Sequence, residues 1–295
     1  MIPPANVVII GAGPAGLATA LQLKRYGIDH LIVEKNTLGG LLINAHKINN
    51  YLGFDRGISG PDLVGLLRRH IEANGIEILY DEVTKLEYHE NMLYASSREF
   101  IRECKIAVIA SGTKPKMLEQ YKGIEINKRI FYEVDKIRNV ENKTIGIIGA
   151  GDAAFDYALT LSKNNKVMIF NRADEERCIF ILRQSVDKNR NIKHLKQRAL
   201  LKIEMMNDGL QVEMGIGGGS EIYSLDYLIF AVGREPELGF LDDSIKENMV
   251  NLVEQGRLFM VGDVKSGDSR QMAIACGHGV EAAMRINRMI RRERV

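Results

Sequence analysis

The sequence predicts an α/β protein built from two similar three-layer units, one inserted within the other. Three observations carry that expectation. The apolar run Val7–Ile10 leads into Gly11-Ala12-Gly13-Pro14-Ala15-Gly16 and then a helical run that stops at Gly27. The same arrangement returns 138 residues later, where Thr144–Ile148 leads into Gly149-Ala150-Gly151-Asp152-Ala153-Ala154. Two further apolar runs, Ile106–Ala110 and Leu228–Val232, each end in a glycine, charged residues and a proline (Gly112 to Pro115, Gly233 to Pro236), the pattern of a chain leaving a core. Domains are therefore expected at 1–114 with 237–295, and at 115–236.

The first turn has the strand–glycine–helix spacing of a Rossmann-like dinucleotide fold. Gly11 makes the tight turn, Gly13 lets a pyrophosphate approach the backbone, and Gly16 lets helix pack on strand. Glu34 lies 23 residues after Gly11 and ends the next apolar run, Leu31–Val33. A carboxylate there accepts the hydroxyls of an unphosphorylated ribose, as in FAD or NAD. The glycine-rich stretches Leu38–Leu42, Asn49–Phe54 and Gly57–Leu63 follow where the chain passes beyond that sugar, and they are expected to line the far half of a long cofactor. Asp62 then opens a helix with Leu63, Leu66, Leu67, His70 and Ile71 at helical spacing, stopping at Gly75. Strands are expected at 77–80, 85–89, 92–95 and 105–109.

In the second unit the strand Val167–Phe170 ends in Asn171-Arg172, where the first unit has Glu34. An arginine grips a 2′-phosphate that a carboxylate would repel, and Arg177 lies a turn away. NADPH is the expected ligand, with NADH also open. Ala173 and the acidic run Asp174-Glu175-Glu176 keep a second reading alive: the arginines are solvated surface and this domain is a binding or regulatory module. Gly217–Gly219 reads as a hairpin tip. Near the end, Leu258–Val261 leads into Gly262-Asp263, and a helix starts near Ser269–Ala273. Asp263 suits a hydroxyl of a sugar-alcohol chain, and the free N–H groups near Gln271 suit the negative charge of a reduced flavin.

Composition narrows the partners. A chain of 295 residues with 40 basic and 38 acidic side chains has a net charge of +2, which points to no nucleic-acid partner. No apolar run is long enough for a signal or membrane span, so a cytoplasmic protein is expected. Cys104, Cys178 and Cys276 are 74 and 98 residues apart, which matches neither metal-ligand spacing nor a disulfide framework.

Taken together, these motifs resemble the low-molecular-weight thioredoxin reductase family and its relatives, the thioredoxin-reductase-type ferredoxin–NADP reductases. The resemblance runs almost end to end. It implies that Gly11, Gly13, Pro14, Ala15, Gly16, Glu34, Lys35, Gly39, Gly40, Leu41, Asn50, Val83, Ala110, Ser111, Gly112, Gly262, Asp263, Arg270, Gln271, Met272 and Ala273 contact FAD. It also implies that Gly149, Gly151, Asp152, Ala153, Arg172, Arg177 and Gly233 face NADPH. Thioredoxin reductases carry Cys-x-x-Cys-Asp just before the second glycine motif. Here that place reads Arg129-Ile130-Phe131-Tyr132-Glu133-Val134. Phe131–Val134 and Gly151–Ala158 resemble the ferredoxin–NADP reductase branch instead, so the match is to neither branch in full. What the resemblance implies is an FAD-dependent NAD(P)H oxidoreductase, homodimeric like its relatives. Hydride passes to the flavin N5 without any protein acid or base, and electrons leave to a ferredoxin- or flavodoxin-like carrier or a small acceptor without a dithiol relay. Disulfide reduction through Cys276 is a further alternative that needs a partner thiol.

Overall fold

In the computed structural model, which describes residues 6–118, 121 and 128–293, the chain forms two compact units. Unit 1 comprises residues 1–43, 49–114 and 235–295, and unit 2 comprises 44–48 and 115–234. In chain order, the first part of unit 1 runs β1 (Val7–Ile10), α1 (Pro14–Arg25), β2 (His30–Glu34), α2 (Gly60–Ala73), β3 (Ile78–Tyr80), β4 (Lys85–His89), β5 (Met92–Ser96), β6 (Ile101–Cys104), β7 (Ile106–Ile109) and the crossing strand β8 (Thr113–Pro115). Unit 2 follows with β9 (Ile130–Phe131), β10 (Thr144–Ile148), α3 (Asp152–Leu161), β11 (Lys166–Phe170), α4 (Phe180–Asp187), β12 (Ile192–Leu195), β13 (Ala199–Met206), β14 (Gly209–Ile216), β15 (Gly219–Leu225) and β16 (Tyr227–Phe230). The return crossing is β17 (Arg234–Pro236), and unit 1 closes with α5 (Asp243–Glu254), β18 (Leu258–Met260) and α6 (Met272–Glu293).

Unit 1 is built on a parallel sheet of order β18-β7-β1-β2-β3. Every residue of β1 is buried, and alternate side chains serve opposite faces. Val7 and Ile9 pack with α1, α2 and α6, whereas Val8 and Ile10 pack with Leu86 and Leu93 of the small antiparallel sheet and Ile245 and Leu252 of α5. This is a three-layer arrangement. Ser59 caps α2, its hydroxyl accepting the Asp62 amide, so the helix begins slightly before the position expected from Asp62. The strand β6 lies outside the strands the sequence predicts, because Ile101-Arg102-Glu103-Cys104 has no clear apolar alternation.

Unit 2 repeats the plan with a parallel sheet of order β12-β11-β10-β16-β9. Ile145 and Ile147 face α3 through Phe155, Ala158 and Leu161, while Ile148 and Phe170 face the antiparallel sheet β13-β14-β15 through Leu210 and Val212. Gly146 lies on that second face, where a Cβ would come 2.5 Å from Leu225 Cδ1 and oblige that side chain to move. Gly217 and Gly218 both have positive φ, +50° and +91°, and make the tight β14–β15 turn. No helix among the described residues is long and apolar enough to cross a membrane.

Candidate functional site

In unit 1 the carboxyl ends of β1, β2, β7 and β18 converge on the first glycine turn. Gly11 has φ +106°, and a Cβ there would stand 2.4 Å from Ala110 O. A Cβ on Gly16 would stand 1.9 Å from Gly11 O, so only glycine permits α1 to start this close to β1. Above Gly13, by contrast, a Cβ would meet nothing within 4 Å. The turn is tight beneath and open above, the shape that admits a pyrophosphate to the backbone. Gly39 N donates to Ala12 O at 2.8 Å, and a Cβ on Gly40 would come 3.5 Å from Gly13 Cα, so Gly39 and Gly40 border the same opening.

Glu34 is almost wholly buried at the end of β2. Its Oε2 accepts the Ala12 amide at 2.7 Å and its Oε1 accepts the Asn36 amide at 2.8 Å. A carboxylate offers about four acceptor positions, so each oxygen keeps one for a ribose hydroxyl. On the other flank, the Cβ position of Gly262 lies 2.8 Å from Ala15 Cβ, placing Gly262 and Asp263 against the first turn of α1. The start of α6 crosses the same turn. A Cβ on Gly279 would reach 2.2 Å from Ala15 O, and the Thr19 hydroxyl donates to Ala15 O at 2.8 Å. Asn50 Nδ2 donates to Gln271 Oε1 at 2.7 Å, joining the segment after Gly39–Gly40 to the residue before α6.

Some of the expected contacts are engaged within the protein. Lys35 faces Glu82 and Glu237 at 3.8 and 3.5 Å, and the Ser111 hydroxyl donates to Glu237 O at 2.6 Å. Val83 is buried in the core, so its main chain is the part left to meet a ligand.

The second turn, in unit 2, has the same skeleton. Gly149 has φ +126° with its Cβ position 2.3 Å from Ala231 O, and Gly151 has nothing within 4 Å. Arg177 N donates to Ala150 O at 2.8 Å, and the Asp152 carboxylate accepts the Ile179 amide at 2.8 Å, which ties segment 177–179 alongside the turn. Asn171, at the end of β11, is buried. Its Oδ1 accepts the Ala173 amide at 3.1 Å and its Nδ2 donates to Glu175 O at 3.0 Å, shaping the loop that presents Arg172. Among the described residues no carboxylate pairs with Arg172 or Arg177. Of the acidic run, Glu176 is neutralised by Arg183 and by Lys196 at 3.3 Å.

Unit 2 also holds polar groups to which the sequence assigned no role. Glu133, just beyond β9, pairs with Arg234 at 2.6 Å, accepts Asn44 Nδ2 at 2.6 Å and lies 3.4 Å from the Tyr157 hydroxyl. Burial, reinforced by the Glu133 charge, pushes the Tyr157 hydroxyl up, which keeps it a neutral donor. Asp156 accepts the His46 amide at 2.7 Å, and burial pushes its carboxyl up to about 6 against the pull of its backbone donors. His46 is lowered by its own burial and then by Lys163. A carboxylate just past a strand and an arginine just past Gly233 were the available signals, but their meeting depends on strand order.

Cys104, Cys178 and Cys276 are all free thiols. Burial raises each of them, Cys104 to about 12.

The family model for pyridine nucleotide-disulphide oxidoreductases matches residues 5–279. A thioredoxin reductase of Borreliella burgdorferi is 28% identical over 301 residues, covering 97% of this chain and 92% of that protein. The crystal structure of Lactococcus lactis thioredoxin reductase in its FR conformation superposes with a TM-score of 0.83 at 26% identity, covering 95% of this chain and 97% of that one. The bacillithiol disulfide reductase Bdr of Bacillus cereus shares the fold at 16% identity, with a TM-score of 0.73 over 97% of this chain and all of that one.

Proposed function

Because the chain belongs to the pyridine nucleotide-disulphide oxidoreductase family and has the thioredoxin reductase fold, whose members bind FAD and NADPH, we propose that unit 1 is the FAD-binding domain and unit 2 the NAD(P)H-binding domain of a reductase that works without a dithiol. When bound, FAD supplies the ring that takes hydride from the nicotinamide and hands electrons to an acceptor, a ferredoxin- or flavodoxin-like carrier or a small molecule. The observation that carries this reading is the pair of open glycine turns with opposite charge beside them. Glu34 closes the first with a carboxylate that accepts ribose hydroxyls, and Arg172 and Arg177 flank the second with guanidinium groups available to a 2′-phosphate.

The chain's own residues bind and orient. Gly13 and Gly151 leave room for pyrophosphates, and α1 and α3 present free N–H groups to them. Asp263, beside Gly262 at the first turn of α1, is the residue assigned to a hydroxyl of the flavin side chain, and the first amides of α6 would stabilise negative charge on the reduced ring. No protein acid or base is needed for hydride transfer. Burial disfavours the thiolate at all three cysteines, which supports a route for the electrons that does not pass through sulfur. The regulatory-module alternative draws on Ala173 and the acidic run Asp174-Glu175-Glu176; of that run, Glu176 is paired with Arg183 and Lys196, which removes one of the three charges from its support. A homodimer in the cytoplasm, as the family resemblance implies, completes the reading.

The test is an acceptor screen on the purified flavoprotein. NADPH-dependent reduction of ferredoxin, flavodoxin or a quinone, with none of thioredoxin, is the expected result. Efficient thioredoxin reduction would refute the dithiol-free mechanism.

A further inference from the structure

At the carboxyl edge of the unit 2 sheet, the strand register extended past the last paired residues sets four residues in one row. The ladders pair Ile148 with both Phe170 and Phe230, and Ile229 with Phe131. Continuing the register brings Asn171, Gly149, Ala231 and Glu133 level, in that order. Arg172 follows at one end of the row, and Glu133 closes the other. A dinucleotide with its pyrophosphate over Gly149–Gly151 and its 2′-phosphate at Arg172 must run its second half over Ala231 toward Glu133. Two strand spacings, about 10 Å, separate Gly149 from Glu133, a span that a ribose and a pyridine ring bridge.

Glu133 is prepared for such a partner. Arg234 holds Oε1, while Asn44 and the Tyr157 hydroxyl hold Oε2. Asn44 is itself fixed, its Oδ1 accepting the Asp135 amide at 3.0 Å. These three donors leave one of about four acceptor positions free, and the side chain is 22% exposed, enough to be reached. Resting on the nucleotide assignment above, we propose that Glu133 orients the nicotinamide: its carboxylate accepts a hydrogen bond from the carboxamide NH2 and fixes which ring face is presented. A group held by three donors offers that acceptor without reorganising on binding.

The test compares three ligands on the FAD-loaded protein by calorimetry: 2′,5′-ADP, NADP⁺, and 3-acetylpyridine adenine dinucleotide phosphate, whose methyl ketone keeps the carbonyl and loses the N–H donors. The wild type is expected to bind NADP⁺ about tenfold more tightly than the acetylpyridine analogue, the size of one charge-assisted hydrogen bond. Glu133→Ala brings that ratio close to one, Glu133→Gln lowers it, and both leave 2′,5′-ADP affinity unchanged. A purely structural ion pair would weaken both dinucleotides equally and preserve the ratio, which overturns the proposal. Equal wild-type affinity for the two dinucleotides overturns it with no variant needed. Failure of all three ligands to bind would instead refute the nucleotide assignment itself.

Discussion

The two glycine turns share a skeleton and differ in what they tolerate. In the first, the Cβ positions of Gly11, Gly16, Gly262 and Gly279 all run into neighbouring atoms, because β7, α1 and α6 close upon a single turn. In the second, Gly149 alone of the three motif positions is so confined, and the third position is Ala154, fully buried with its Cβ accommodated. The first turn is packed as part of a core; the second leaves α3 room to stand off. The charges differ as well. Glu34 is drawn inward by two backbone amides, whereas Arg172 and Arg177 remain exposed. A site sealed around one ligand and a site that a ligand visits are expected to differ in this way.

The largest effect should come from substituting the packed turn. Gly16→Ala forces a Cβ against the Gly11 carbonyl and should cost about 3 kcal/mol or more, giving FAD-free protein and a collapsed thermal midpoint. Ala154→Gly, its counterpart, should cost about 1 kcal/mol and leave NADPH binding intact. Equal responses to the two changes would erase the contrast. Next, Arg172→Ala with Arg177→Ala should weaken NADPH about 100-fold, the loss of two charge-assisted contacts. NADH affinity and FAD content should not change, and equal weakening of both nucleotides would deny the arginines a phosphate.

The units should also differ in their response to acid. In unit 2, Asp156 is raised from 3.8 to about 6, so the folded chain keeps a proton that the unfolded chain releases between those values. Stability should therefore fall by about 2 to 3 kcal/mol as pH rises through that window and stay level above it. Asp156→Asn should remove the slope, read from denaturant midpoints at pH 4.5 and 7. In unit 1, Asp242 is lowered to about 2 by the Ser244 amide and hydroxyl and by Lys85, and its contribution runs the other way, lost as pH drops below 3.8 toward 2. The smallest effect belongs to Cys276→Ser, on α6 with its sulfur 3.9 Å from Pro14 O. Turnover should be unchanged, and a dead variant would restore a thiol relay.

Much of this architecture was legible in the sequence, because β1 and β10 are continuous apolar runs and the glycines after them have steric work to do. Glu34 was legible for the same reason: its place at a strand end is fixed by spacing. The Glu133–Arg234 pair was not, since it depends on β9 lying beside β16, a pairing of residues 101 apart in sequence. Nor was the placement of Asn44–Ile48 with unit 2, which rests on the Asn44–Glu133 and His46–Asp156 hydrogen bonds. Periodicity reports which face of an element is buried, not which distant polar group it will meet.

Hydride transfer through the flavin is read by anaerobic stopped-flow absorbance of the purified yellow protein mixed with NADPH or NADH. Rapid bleaching of the flavin band, faster at low nucleotide concentration with NADPH, is the predicted result. A flavin that stays oxidised with both nucleotides would rule out a nicotinamide-dependent reductase.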